Sequence, residues 1–300
     1  MYNHQKPIET GENPAPMIEH ASAKLNLTLD VLRRTEDGYH DLRMVMQAVD
    51  FGDDLDIELT EDGSFSIVPG QPYIPADGRN LAVKAARLFL EGTGLGARIR
   101  TVKRTPVCAG MGGGSSDAAA VLRALNRLTG AGKSAEELRL LAERIGSDVP
   151  FCVTGGTALA EGRGNLLTPL PPLPDCAIVV CKPAFAISTP ELFGRIDTRR
   201  SRLHPDTAGI LTALETGDLA AAARRLYNVF EDVLDRRQKQ IPAIKAELLE
   251  GGALGAAMTG TGSAVFGIFQ DDDAARTAWA ALSGRYRECY LTRPAPPEEL

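Results

Sequence analysis

Residues Lys103 to Asp117 read Lys-Arg-Thr-Pro-Val-Cys-Ala-Gly-Met-Gly-Gly-Gly-Ser-Ser-Asp and lie between a strand-like and a helix-like pattern. Glycines let a backbone take positive φ and bring its N–H groups close to a ligand. The helix behind them presents unpaired N–H groups and the positive end of its dipole. Ser115 and Ser116 add hydroxyls suited to a phosphate oxygen or the water shell of Mg²⁺. Physically this is an anion cradle. A run of glycines alone would equally be a connector; Ser-Ser-Asp and the helical run directly behind it favour the cradle.

Two familiar phosphate loops are excluded. Gly132-Lys133-Ser134 supplies the end of a Walker A loop, but Arg127 stands where its first glycine belongs. A dinucleotide fingerprint from Gly110 would need glycine at 115, which is Ser115.

The elements that must position this loop follow from periodicity. Ala23 to Arg34 alternates apolar Leu25, Leu27, Leu29 and Val31 with polar residues, as a half-buried strand does. Asp37-Gly38 is a hairpin-turn pair. Leu42–Val49, the run DLDIELT and the run SFSIV read as three further strands, Asn80–Leu90 as a helix, and Ala97–Val102 as a strand. The spacing predicts helices over Ser115–Leu128 and Ser134–Ile145, the second opened by the capping box Ser134/Glu137. GTALAEG is a short strand. Four prolines between Thr168 and Pro174 mark a domain boundary. CAIVVCKP then reads as a buried strand, followed by helices between Thr207 and Leu249 and a strand–strand–helix–strand group over Gly255–Thr292.

The 300 residues suffice for two domains sharing a cleft. Lys plus Arg number 33 against 39 Asp plus Glu, a net charge of −6, which gives no pull toward nucleic acid or an anionic membrane. The five cysteines are dispersed without a C-x-x-C, so neither a disulfide framework nor a zinc site is expected, no metal-ligand set is assigned, and a reducing cytoplasm fits. No apolar run approaches the about 18–20 residues that span a bilayer. Residues 1–17 are polar and read as a flexible extension.

The loop, with the motifs that flank it in order, resembles the GHMP kinases, the family of galactose, homoserine, mevalonate and phosphomevalonate kinases. Pro106 to Ser116 follows that family's P-x-x-x-G-[LM]-G-[GS]-S-S pattern, with Met111 where leucine often stands. Ala23-Lys24-Leu25-Asn26-Leu27, Asp37-Gly38-Tyr39-His40, Gly146-Ser147-Asp148-Val149-Pro150-Phe151, Ser188-Thr189-Pro190 with Phe193, and Thr259-Gly260-Thr261-Gly262-Ser263 complete the resemblance, from Ala23 to about Phe269. The first two blocks point to the branch acting on a cytidine-diphosphate sugar alcohol of the non-mevalonate isoprenoid precursor route.

The resemblance implies roles that the residues alone would not reveal. Alone, Asp148 is a turn or capping aspartate and Lys24 a solvated strand residue. By resemblance Asp148 is the catalytic base, and Lys24 pairs with it and neutralises charge at the transferred phosphoryl group. ATP, carried with Mg²⁺, would meet Asn80, Leu81, Lys103 and the loop Pro106, Val107, Cys108, Ala109, Gly110, Met111, Gly112, Gly113, Gly114, Ser115 and Ser116. The alcohol substrate would meet Asn26, Tyr39, His40, Thr189, Phe193, Gly260 and Gly262, with Tyr39 and Phe193 stacking on two faces of the cytosine.

The implied fold is α+β, two-lobed, with the active site in the cleft. Residues 18–165 would form the nucleotide-binding lobe and 170–295 the substrate lobe. The alternatives are another GHMP kinase, of homoserine or mevalonate type, and a non-catalytic nucleotide-binding protein of the same fold. The presence of both Lys24 and Asp148 argues against the latter.

Overall fold

The computed structural model describes residues 15–199 and 203–300. Residues 1–14 of the expected extension lie outside the described residues, and Met17 already opens the first strand.

β1 (Met17–Arg34) and β2 (His40–Thr60) form a long antiparallel hairpin. Its turn is held by the Asp37 carboxylate, which accepts from Thr35 Oγ1 at 2.6 Å and from Tyr39 N at 3.3 Å. β2 is one strand where the sequence suggests two. Asp50 and Phe51 are extra residues opposite the Ser22/Ala23 step, so the polar break is a bulge and pairing with β1 resumes beyond it.

β3 (Phe65–Val68), α1 (Leu81–Phe89), β4 (Gly96–Val102), α2 (Gly113–Leu128), α3 (Ala135–Glu143) and α4 (Val149–Thr154) follow. Asn80 caps α1 by accepting from Ala82 N at 3.0 Å. The Ser134/Glu137 capping box opens α3 as its spacing requires. β5 (Thr157–Gly162) and β6 (Leu166–Pro169) lead to the proline-rich segment, after which β7 (Ala177–Lys182) starts a second sheet. The rest comprises α5 (Thr189–Thr198), α6 (Thr207–Glu215), α7 (Leu219–Ala223), β8 (Tyr227–Asn228), two short 3₁₀ turns, α8 (Gln240–Glu250), β9 (Gly255–Met258), β10 (Val265–Phe269), α9 (Asp272–Ser283) and β11 (Glu288–Thr292).

The first sheet has the order β3-β4-β2-β1-β8, with β5 added on β2 and β6 on β5; the second is antiparallel in the order β11-β7-β10-β9. The proline-rich segment is thus where the chain changes sheets. β8 later returns to pair in parallel with β1, at Thr28 and Leu29. This α+β architecture seats β1 between two apolar clusters. Ala21, Leu29 and Val31 join one, with the inner face of α2; Ala23, Leu25 and Leu27 join the other. Register shifts at Ser22/Ala23 and Asn26/Thr28 separate these sets. The alternation is therefore inverted between two bulges, which turns Lys24 and Asn26 to the helical side. Lys24 is 4% exposed, so it is no solvated strand residue.

Candidate active site

Three elements meet around Lys24. Its backbone N donates to Met111 O at 3.0 Å, docking the glycine loop on β1. Its Nζ donates to Asn26 Oδ1 at 2.7 Å and lies 3.4 Å from Asp148 Oδ2. The bond to Asn26 uses one of the three ammonium donors. The Asp148 contact is an ion pair rather than a short hydrogen bond.

Asp148 occupies the N-cap position of α4 yet makes no capping hydrogen bond. The local sequence explains why the cap is dispensable: Pro150 falls in the first turn, where a missing N–H costs nothing. The carboxylate is about one-third exposed (32%), so it reaches both Lys24 and solvent.

The glycine loop closes the same space. A Cβ on Gly112 would lie 3.0 Å from Lys24 Cγ, so the loop rests directly on the lysine stem. Gly112, the N-cap of α2, has no side chain to cap the helix, which leaves first-turn N–H groups for a ligand. Gly110, at φ 77°, passes so close to the C-terminal loop that a Cβ would sit 2.1 Å from Thr259 O. Cys108 holds φ 55° without being glycine and is exposed. Its neighbours tie the two loops together: Ser263 N donates to Cys108 O and Ala264 N to Ala109 O, at 3.3 and 3.1 Å.

Several expected ligands turn out to be engaged by the protein itself. Asn26 is 1% exposed; its Oδ1 accepts from Lys24 Nζ and from Gly260 N at 3.0 Å, and its Nδ2 points to Met44 Sδ at 3.3 Å. It joins Lys24 to the Thr259–Ser263 loop. Ser116 Oγ donates to Ser22 O at 2.7 Å, fastening α2 to β1, whereas Ser115 is partly exposed at the helix start. Thr189 Oγ1 meets Thr261 Oγ1 at 2.8 Å. Asn80, besides its capping role, donates to Pro75 O at 2.9 Å.

Lys103 is committed most fully. Its ammonium lies 2.5 Å from Asp53 Oδ2 and 2.6 Å from Asp117 Oδ2, and its side chain is 6% exposed. Asp53 Oδ1 also accepts from Arg104 N at 2.6 Å and Thr105 N at 2.8 Å. One buried ion cluster thus pins the start of the glycine loop through Asp53 and its end through Asp117. Burial pushes the Asp117 carboxyl up to about 7, with the Lys103 charge opposing that rise. Burial also works against the Lys103 charge, but the Asp117 and Asp53 carboxylates outweigh it and raise the ammonium's pKa. Lys103→Met keeps the stem and leaves two carboxylates facing each other. Unfolding free energy is expected to fall by about 3–5 kcal/mol, as when one partner of a buried pair is removed. Urea denaturation measures this, and a loss below about 1 kcal/mol, the range of a surface pair, would contradict the pinning role.

At the far end of the β1–β2 hairpin lie the expected aromatic residues. Tyr39 is exposed, with the Arg163 guanidinium 4.0 Å from its ring centroid and Arg163 paired to Asp37. Phe193 stacks on His40 at 4.5 Å and meets Phe230 edge-on at 5.0 Å. An open slot between Tyr39 and Phe193 is therefore not what the structure shows: His40 covers one face of Phe193.

Sequence reasoning missed Asp53 and Asn228. Asn228 Nδ2 donates to Met258 O and Gly260 O, at 2.8 and 2.7 Å, tying β8 to the loop beside Asn26. Its Oδ1 also caps the turn behind it, accepting from Phe230 N at 3.0 Å, but the Nδ2 partners lie some thirty residues away, where no local pattern announces them.

Two family models match the chain: GHMP kinases N terminal domain over residues 80–156 and GHMP kinases C terminal over 210–288. A 4-diphosphocytidyl-2-C-methyl-D-erythritol kinase of Clostridium perfringens is 42% identical over 277 residues, 91% of this chain and 96% of that protein. This chain belongs to the 4-diphosphocytidyl-2-C-methyl-D-erythritol kinase family of GHMP kinases. As a GHMP kinase it is an ATP-dependent enzyme with an alcohol acceptor. A solved crystal structure of 4-(cytidine 5'-diphospho)-2C-methyl-D-erythritol kinase superimposes with a TM-score of 0.79 at 35% identity, covering 93% of this chain and all of that one (100%). Homoserine kinase from Cytophaga hutchinsonii shares the fold, with a TM-score of 0.74 at 18% identity over 100% of this chain and 98% of that one. In this GHMP kinase the matched N-terminal region carries the glycine loop and Asp148, while Lys24 and Asn26 precede it on β1. No described helix is long and apolar enough to cross a membrane.

Proposed function

We propose that the enzyme transfers the γ-phosphoryl group of ATP to the 2-hydroxyl of 4-diphosphocytidyl-2-C-methyl-D-erythritol, in the cytoplasm, as a step of non-mevalonate isoprenoid precursor synthesis. The observation that carries the chemistry is the placement of the Lys24–Asp148 ion pair against the glycine loop that opens α2. The substrate rests on the names of relatives at 42% identity and on the aromatic and imidazole groups at the hairpin tip.

The triphosphate lies on the N–H groups of the loop and first turn of α2, where the helix dipole favours negative charge. Lys24 neutralises charge on the transferring group. Asp148 accepts the proton of the 2-hydroxyl and aims its oxygen at the γ-phosphorus. The O–P bond to the substrate forms as the bond from the β–γ bridging oxygen to the γ-phosphorus breaks, and ADP leaves. Positioning and charge stabilisation account for most catalysis in such transfers. Mg²⁺ would accompany the nucleotide and would need only one or two protein oxygens. Ser115, partly exposed at the start of α2, is the residue that would hold it, and it would supply charge neutralisation at the phosphates. We assign residues 18–165 to the nucleotide lobe and 170–295 to the substrate lobe, with β8 as the strand of the latter that reaches back to β1.

A coupled ADP-release assay against a panel of alcohols tests the reading. Turnover is expected with the cytidine-diphosphate alcohol and not with homoserine, mevalonate or galactose. Efficient turnover of any of those three, with none of the cytidine compound, would overturn it.

A further inference from the structure

His40 is gripped from two directions by one helix. Its side chain is only 10% exposed. The ring stacks on Phe193 with 28° between planes, and Nε2 lies 2.8 Å from Asp197 Oδ1. Phe193 and Asp197 are four residues apart on α5 and so share a helix face. Arg34 places a guanidinium nitrogen 3.7 Å from the other Asp197 oxygen. We propose that Asp197 is a positioning residue that sets base specificity by holding His40 with its proton on Nε2. The inference rests on the cytidine reading above.

A carboxylate only accepts hydrogen bonds, so Nε2 must donate, and in the neutral ring Nδ1 is then left as an acceptor. An acceptor at a fixed place selects a donor on the ligand. Cytosine carries an exocyclic amine where uracil carries a carbonyl oxygen. The two bases therefore present opposite hydrogen-bonding character to the same ring nitrogen. Mismatch leaves two acceptors facing each other in a largely desolvated place, which discriminates more strongly than shape does. Asp197 touches no reacting atom; it acts through His40.

The test uses the full chain as parent, Asp197→Ala and Asp197→Asn. Asp197→Ala is expected to raise KM for the cytidine-diphosphate alcohol about tenfold, the worth of one such hydrogen bond. Its kcat and its KM for ATP stay near the parent's, and its preference over the uridine-diphosphate analogue collapses. Asp197→Asn retains an acceptor for Nε2–H and is expected to keep most of that preference. Ring-nitrogen NMR of ¹⁵N-labelled free protein reads the tautomer without any substrate. The parent should show Nε2 protonated and Nδ1 bare, and Asp197→Ala a mixture.

A protonated Nδ1 in the parent would overturn the proposal, as would unchanged KM and base preference in an active Asp197→Ala enzyme. Equal losses in kcat and in ATP KM would overturn it too, by showing a general structural role. A parent that fails to turn over the cytidine compound at all would overturn the functional reading itself. That is a different result from a working parent matched by a working variant.

Discussion

Asp148→Asn is expected to lower kcat by roughly 10²–10⁴-fold, the usual worth of a general acid–base group, with ATP binding nearly unchanged. The substitution keeps the size of the side chain and an oxygen for Lys24 Nζ, now 3.4 Å away, but removes the ability to take the hydroxyl proton. Because Asp148 makes no capping bond, α4 loses no cap with it. A fall in kcat therefore reports chemistry rather than a melted helix. Lys24→Ala should be similarly slow. The double variant should be little worse than either single one, since groups acting as a unit are not additive. Near-normal steady-state turnover by folded Asp148→Asn would contradict the assignment.

The second large effect is expected at Gly110. Valine there would place Cβ 2.1 Å from Thr259 O, in a backbone already at φ 77°. Either the glycine loop or the Thr259–Ser263 loop must shift; Lys24 is bonded to the first and Asn26 to the second. A displacement of about 1 Å at a site of this kind costs about 10²-fold, so kcat/KM for ATP should fall by that order. Gly92 supplies the control. It has the same φ of 77°, and nothing lies within 4 Å of its would-be Cβ. Gly92→Val therefore carries the backbone strain without the close approach and should keep its activity. Equal loss in both variants would show that strain alone, and not loop contact, is being measured.

Much of the fold was legible because its signals are local. The Ser134/Glu137 box, the Asp37-Gly38 turn and the glycine loop before α2 each declare themselves within a few residues, and each lies where its chemistry requires. The single long β2 was not legible. A bulge at Asp50-Phe51 looks like a strand end until its partner strand is known. The inverted facing of Lys24 has the same origin, because two register shifts that depend on β2 decide which alternate residues of β1 face the helices.

At the site, residue types told which chemistry was present but not which groups were free to perform it. Lys103 reads as a cation at a strand end, and only its long-range partner Asp53 shows that the ammonium is used to hold the loop. Asn26 and Ser116 likewise spend hydrogen bonds on Gly260 and Ser22. Phe193 reads as a stacking surface; that His40 already lies on it depends on α5 crossing the hairpin tip, a tertiary fact without a sequence signature.

Proton-coupled ³¹P NMR of the product formed from ATP and 4-diphosphocytidyl-2-C-methyl-D-erythritol tests phosphoryl transfer to the 2-hydroxyl most directly. The C2 carbon bears a methyl group and no hydrogen, so a phosphate on its oxygen has no carbinol proton to couple with. The expected spectrum shows ADP, an intact cytidine diphosphate and one new monoester singlet. A new monoester split by carbinol protons, a cleaved diphosphate, or no new monoester at all would contradict the assignment.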